Sequence, residues 1–326
     1  MKSGKYLSLT RWVATSVTAL GLLAAGPALA LDSIKMLVPA NPGGGWDQTG
    51  RGLQQALQQS EAVKKVQVDN KGGAAGTIGL AQFVNSAKGD GSALLVGGSV
   101  MVGGIALNKS PVNLSQVTPI ARLTGEYDVL VVPASSPIKS MKDLVAQFKA
   151  NPGSVSWGGG SAGGTDHIIV AMIAQATGVD VAKINYIPFA GGGEAQAAIM
   201  GGHVTVGLSG YNEFAGQIEA KKLRPIAVTS GQRLPGIDVP TLKEQGVDVE
   251  LSNWRAVFAA PGITEQQKKE LTAAVDKAVR SKTWQDLLAK NGWSDAYLVG
   301  DAFKTYLDNE VAKTEKIITN LGLVKK

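Results

Sequence analysis

Apolar residues recur in two rhythms along this chain. Short runs rich in valine, isoleucine and leucine fall at residues 33–39, 65–69, 93–96, 129–132, 155–157, 184–187, 204–208 and 224–228, with the length and β-branched content of strands. Between several of them the apolar positions shift to helical spacing. Residues 77–87, 140–149, 168–176, 195–200 and 214–221 read as helices, and Met141, Leu144, Val145 and Phe148 share one face of the second. Strand and helix alternate, which predicts an α/β fold with mostly parallel sheets flanked by helices. After residue 261 the character changes. Thr264 caps a long helix with Leu271, Val275 and Val279 on one side, and Phe303, Tyr306, Leu307, Val311 and Ile318 stripe a final helix. Both halves of the chain repeat strand, glycine turn, helix, as two similar domains with a cleft between them would.

The first 30 residues follow another logic. Lys2, Lys5 and Arg11 form a basic start, residues 12–25 an apolar stretch, and Ala28-Leu29-Ala30 a small-residue cleavage site. The apolar stretch is shorter than the roughly 20 residues a membrane span needs. A secretory signal cleaved after Ala30 is expected, with a periplasmic product. Removing its three basic residues lowers the formal charge from +6 to +3, so the basic balance partly belongs to the signal. No basic run interleaved with aromatics points to nucleic acid. The absence of cysteine rules out disulfides and thiol chemistry.

Three glycine turns carry the candidate chemistry. In the first, Asn41 and Pro42 lead into Gly43, Gly44 and Gly45, followed by Trp46 and Asp47. Glycine permits positive φ and close backbone approach, and the helix behind it aims free N–H groups and a positive dipole end at one spot. Asp47 is placed to cap that helix. The second turn runs from Gly158 through Gly160, Ser161, Ala162, Gly163 and Gly164 to Thr165, with His167 on the helix behind it. The third, Gly191-Gly192-Gly193-Glu194 after Ala190, has an acid that suits a structural role better than an anion site. Two anion turns about 115 residues apart suggest jaws that close on a molecule with more than one carboxylate.

The second turn also fits two enzyme patterns. Gly158, Gly160 and Gly163 match the dinucleotide fingerprint, with Asp180 as the later acid. Gly159-Gly160-Ser161-Ala162-Gly163 matches the nucleophile elbow, with Asp180 and His203 following in hydrolase order. A secreted esterase using Ser161 and His203 is therefore the alternative reading. Two separated histidines and no acidic cluster in the sequence argue against a transition-metal site.

Taken together, the segments 38–47 with Arg51, 69–76, 158–165 with His167, Gly192-Gly193-Glu194, Gly201-Gly202-His203-Val204, and Trp254-Arg255 before residues 258–261 resemble the periplasmic solute-binding receptors of tripartite tricarboxylate transporters, also called Bug receptors. The resemblance covers essentially the whole chain after residue 30. It implies a clamshell of the type II periplasmic binding protein kind, with residues 31–130 and 253–326 in one domain and 131–252 in the other. The chain would cross between them near 127–133 and 252–258. It also implies a monomer that binds a di- or tricarboxylate such as citrate, without cofactor or catalysis, and delivers it to integral-membrane permease subunits. By the same resemblance residues 42–47 and 160–165 are the jaws, and Ser99, His167, Ala190, Gly191 and Gly192 line the cleft. Trp46 stands where the typical receptor has a small or polar residue, which narrows the pocket.

Overall fold

A computed structural model of the protein describes Met1, residues 31–190 and residues 192–324. The expected signal, from residue 2 to 30, and Gly191 lie outside the described residues. Strand β1 (Leu31–Val38) leads through α1 (Gly45–Gln59), β2 (Val63–Asn70), α2 (Thr77–Ser86), β3 (Ala93–Gly98) and α3 (Ser99–Asn108). A long strand, β4 (Thr118–Pro133), carries the chain into a second set. This set comprises α4 (Met141–Ala150), β5 (Ser156–Gly159), α5 (Thr165–Thr177), β6 (Asn185–Pro188), α6 (Gly192–Met200), β7 (Val206–Gly210), α7 (Tyr211–Glu219) and β8 (Leu223–Val228). Strand β9 (Ser252–Ala259) returns the chain, and α8 (Glu265–Val279), α9 (Lys282–Asn291), β10 (Ser294–Val299) and α10 (Gly300–Asn320) pack beside the first set.

The strands join in the order β2-β1-β3-β9-β4-β7-β5-β6, with β10 and β8 also on β4. The α/β alternation holds, and the pairs β1–β2, β1–β3, β5–β6 and β5–β7 are parallel as it predicts. The middle of the sheet is antiparallel, because β4 and β9 run in opposite directions between the two sets and every neighbour of β4 pairs antiparallel to it. Along β4 the first ten residues pair with β9, and from Asp128 onward the partners are β7 and β8.

Burial follows the same division. Ile34, Met36, Leu53, Leu94, Trp284 and Phe303 belong to one hydrophobic cluster of the first set and the C-terminal helices. In the second set β4 alternates sides, as a strand must. Leu130 and Val132 join Phe148, Trp157 and Val206, while Val129 and Val131 join Ile199 and Phe214. Each fully buried side chain of this size contributes about 1.5–3 kcal/mol. The end of α10 reaches across, where Ile318 and Leu321 pack on Ile168 and Ala171 of α5. The expected caps form: Ser140 accepts from the Asp143 N–H, and Thr264 makes a reciprocal capping box with Gln267. Among the described residues no helix is long and apolar enough to cross a membrane.

Candidate functional site

The first glycine turn joins β1 to α1. Gly43 has φ +92°, a left-handed conformation that an L side chain resists. Gly44 is the N-cap residue and makes no side-chain cap, so Asp47 does not cap the helix in the way its position suggested. It sits inside the first turn and reaches back, its Oδ2 accepting the Gly43 N–H at 3.0 Å. Arg51 Nε donates to both Asp47 oxygens at 3.0 Å, and Asn70 Nδ2 donates at 3.0 Å. Burial alone would raise the Asp47 pKa, but these bonds and the Arg51 charge hold it below the ordinary value. Among the described residues no protein acceptor takes the N–H of Gly44 or Gly45.

The second turn joins β5 to α5 and is braced more tightly. The Gly160 N–H donates to Asp166 Oδ2 at 2.6 Å, and the Gly163 N–H donates to His167 Nδ1 at 3.1 Å. The Tyr186 hydroxyl donates to the Gly160 carbonyl at 2.7 Å, and its ring stacks on His167 with centroids 4.5 Å apart. Burial holds the His167 pKa down at about 4, so the imidazole is neutral and serves as an acceptor. Gly163 has φ +80°, and a Cβ there would press on Leu107 and the Gly103 carbonyl of α3. Gly103 is equally constrained, since a Cβ on it would run into the Gly163 carbonyl.

Hydrogen bonds tie the two sides together. Ser99 Oγ donates to Asn253 Oδ1 at 2.7 Å and lies 3.1 Å from Thr165 Oγ1. Asn212 Nδ2 donates to Gln48 Oε1 at 2.6 Å, and Asn41 Nδ2 to Glu194 Oε1 at 3.4 Å. Between the turns lies a cavity of about 100 Å³. Of the residues expected to form the site, Gly44, Gly45, Trp46, Gly160, Ser161 and Ala190 line it. Asn41, Gly43, Asp47, Ser99, Gly163, Thr165 and His167 brace the turns or link the two sides through the hydrogen bonds above. Pro42, Ala162 and Gly164 complete the turns, and Gly192 begins α6. Trp46 both walls the cavity and packs in the first cluster. A larger groove of about 1070 Å³ lies between α3 and α10, but no glycine turn opens into it.

A buried charge cluster behind and within the cavity escaped the sequence reading. Arg255 on β9 is 2% exposed and pairs through Nη2 with Glu126 of β4. Glu213 of α7 stands 4.0 Å from the same nitrogen. Asp128 lies near Asp166, and Asp166, Glu213 and Arg255 all line the cavity. A Cβ at Gly45 would collide with the Arg255 guanidinium, so the close approach of α1 to this cation requires glycine. Burial pushes Asp128 well above the ordinary carboxyl range, with the Asp166 and Glu126 charges adding to it. Asp166 is raised by burial too, and burial followed by the Glu126 charge lifts Glu213 to about 8. Among the described residues no donor reaches either Asp128 oxygen, and protonated Asp128 becomes the donor to Asp166. The readable signal was Glu126-Tyr127-Asp128, two acids at strand spacing beside an apolar run, which share one face. No group of histidines and acids among the described residues is arranged to hold a metal ion.

The enzyme patterns do not assemble. His203 is exposed in the turn after α6 and makes no hydrogen bond to Ser161. Asp180 is exposed and caps a short turn by accepting the Ala182 N–H at 3.0 Å. Gly158, which the dinucleotide pattern needs open to a pyrophosphate, faces Val204 and Phe189.

Residues 48–323 match the model of a family described as tripartite tricarboxylate transporter family receptor. A Cupriavidus necator protein, described as UPF0065 protein in gbd 5'region, is 30% identical over 323 residues, 96% of each chain. The periplasmic binding protein BugD superposes with a TM-score of 0.83 at 24% identity, over 90% of this chain and 99% of that one. MatC from Rhodopseudomonas palustris, solved with bound malate, gives 0.78 at 21% identity, over 88% and 99%. These structures share the fold, and the family and sequence matches extend across nearly the whole chain: it belongs to the receptor family of tripartite tricarboxylate transporters and is a binding protein, not an enzyme.

Proposed function

We propose that this protein is an exported receptor that encloses a small di- or tricarboxylate between two lobes and delivers it to a membrane permease. One lobe comprises residues 31–130 with 253–326, and the other residues 131–252. The observation that carries this reading is the pair of glycine turns, one from each lobe, with unengaged N–H groups at Gly44 and Gly45 facing Ser161 across one cavity. Hydrogen bonds to a charged group contribute about 1.5–3 kcal/mol each, so a few from each side suffice for useful affinity. The bound malate of MatC supports a carboxylate ligand. Hydrogen bonds across the cleft, such as Gln48–Asn212, belong to the closed form, so a ligand held by both turns biases the protein toward closure. The basic start, short apolar stretch and Ala28-Leu29-Ala30 pattern of the sequence support export and a periplasmic location.

The test is thermal unfolding of protein purified from the periplasm and refolded free of ligand, with succinate, malate, tricarballylate and citrate. A bound ligand at a hundredfold excess over Kd adds about 2.7 kcal/mol of stability. A selective rise in Tm supports the receptor reading, and a flat response to every carboxylate rejects it. Sequencing the N-terminus of the same material tests cleavage after Ala30.

A further inference from the structure

The buried charge cluster holds more acid than base. Four carboxyl groups, from Glu126 and Asp128 on β4, Asp166 on α5 and Glu213 on α7, surround the single guanidinium of Arg255 on β9. Ionised together, they set four negative charges against one positive. All five side chains are at least nine-tenths buried, and Asp128 is fully so. The other groups that face the cluster bring no further positive charge. Tyr186 of β6 gives its hydroxyl to the Gly160 carbonyl, and the neutral His167 of α5 stacks on its ring. The Ser209 hydroxyl of β7 meets Glu213, and the Trp293 ring lies 5.4 Å from the Arg255 guanidinium. On α1, Arg51 is engaged by Asp47. Among the described residues no donor reaches either Asp128 oxygen, and no lysine pairs with any of the four acids. Protons are the counter-charge that remains.

The cluster also sits where the chain passes between lobes. Thr124 and Glu126 pair with Arg255 and Asn253 of β9, whereas Asp128 already pairs with Gly210 of β7. A Cβ at Gly45 would meet the Arg255 guanidinium, and one at Gly210 the Glu126 carboxyl. Helix α1 of one lobe and the start of α7 of the other thus both close on the same groups. Asp166, Glu213 and Arg255 line the cavity, so separating the lobes admits water to them, and hydrated carboxyls ionise at ordinary values. We infer that closure of the lobes is coupled to proton uptake by this carboxyl cluster, so that acid favours the closed form and rising pH opens it. The inference rests on the two-lobed receptor reading above and adds a control to it. Burial, then the Glu126 charge, lifts Glu213 to about 8 in the closed form, and Asp128 and Asp166 are raised in the same sense. A raised pKa stabilises the closed form fully below the ordinary value of 4.5 and loses that contribution as pH rises through 8. Between the two, the ratio of closed to open changes about tenfold per pH unit for each proton taken up. The same protons remove like charge that an entering carboxylate would otherwise meet.

The absence of cysteine makes the test clean. Lys71→Cys in one lobe and Lys183→Cys in the other, both at exposed positions, take a dye pair whose energy transfer reports the separation of the lobes. The ligand-free protein is titrated from about pH 9 to about pH 5, and then exposed to succinate, malate and citrate in turn. The expected result is a separation that shortens as pH falls, with the ratio of closed to open rising at least tenfold between about pH 8 and about pH 6. Glu213→Gln and Asp128→Asn fix the neutral form, so each should flatten that response and hold the lobes closer at alkaline pH. A separation that a carboxylate shortens and pH does not overturns the inference and leaves the receptor reading standing. So does a full pH response in both variants with native circular dichroism. If neither pH nor any carboxylate moves the dyes, both readings fall. The pH titration without either neutral variant is decisive in its negative outcome, so a folding defect in Glu213→Gln or Asp128→Asn does not shelter the inference.

Discussion

The two glycine turns share a backbone plan and differ in electrostatics. Each ends a strand, passes through a left-handed glycine, Gly43 or Gly163, and starts a helix whose first turn holds an aspartate. Each aspartate takes an N–H from the turn behind it, Asp47 from Gly43 and Asp166 from Gly160. Asp47 is clasped by Arg51 and Asn70, and its pKa lies below the ordinary value. Asp166 has no such cation and sits among Asp128, Glu126 and Glu213, with its pKa raised. One turn is therefore anchored by a permanent ion pair, and the other rests on groups that titrate. The glycine pattern sets the path of the backbone, and the charge state depends on which elements pack behind it.

The largest effect should come from the cations. Arg255→Met leaves Glu126 buried without its partner and should cost about 3–5 kcal/mol, measured as a drop in the urea midpoint. Arg51→Met, at a half-exposed site beside the first turn, should cost only about 0–1 kcal/mol. Equal losses would erase the contrast between the turns. Next come the glycines. Gly43→Ala and Gly163→Ala each force a left-handed L residue, at about 1–2 kcal/mol. Only at Gly163 does the new Cβ also meet α3, whereas open space surrounds Gly43. Ligand affinity should therefore fall tenfold or more in Gly163→Ala beyond its loss of apo stability, and in Gly43→Ala the two losses should track.

The pH profile separates the sides further. Glu213 has a folded pKa of about 8, above its ordinary value of 4.5. Its stabilisation is complete below about 4.5 and is lost as pH rises through 8, and Asp128 and Asp166 act in the same sense. His167 acts oppositely: with a folded pKa of about 4 against 6.5, its stabilisation is complete above 6.5 and lost as pH falls through 4. Chemical denaturation across pH should show a flatter alkaline limb in Glu213→Gln and a flatter acid limb in His167→Gln. An unchanged alkaline limb in Glu213→Gln would show that its carboxyl is not the titrating group. A small effect is expected at Asn212→Ala, which removes the bond to Gln48 across the cleft. It should weaken the closed form by about 0.5–1.5 kcal/mol, read as a severalfold loss of ligand affinity with little change in apo Tm.

Much of the architecture was legible because it depends on local pattern. Ser140 and Thr264 announced their helices as capping residues, and the turns at Gly43 and Gly163 announced themselves because glycine is the residue that tolerates their φ. Other elements left no such mark. Helix α3 carries the pair Gly103-Gly104 and no polar face, since it packs against residues 74–76, α5 and α10. Strand β4 read as four apolar residues, while its first ten include Arg122, Thr124, Glu126 and Tyr127. Polar residues there disguise a strand whose side chains enter the charge cluster and the packing of α10.

What the sequence determined by itself was the set of conformations open to short stretches: where the chain turns, where helices start, which face of each element is apolar. These follow from sterics and from side chains reaching their own backbone. The site's chemistry was decided by tertiary structure. Glu126 and Arg255 are 129 residues apart, and Asp166 and Glu213 arrive on two further elements. Only their burial in one low-dielectric space shifts their protons and leaves Arg255 donors unengaged, because desolvation and charge proximity act through space rather than along the chain.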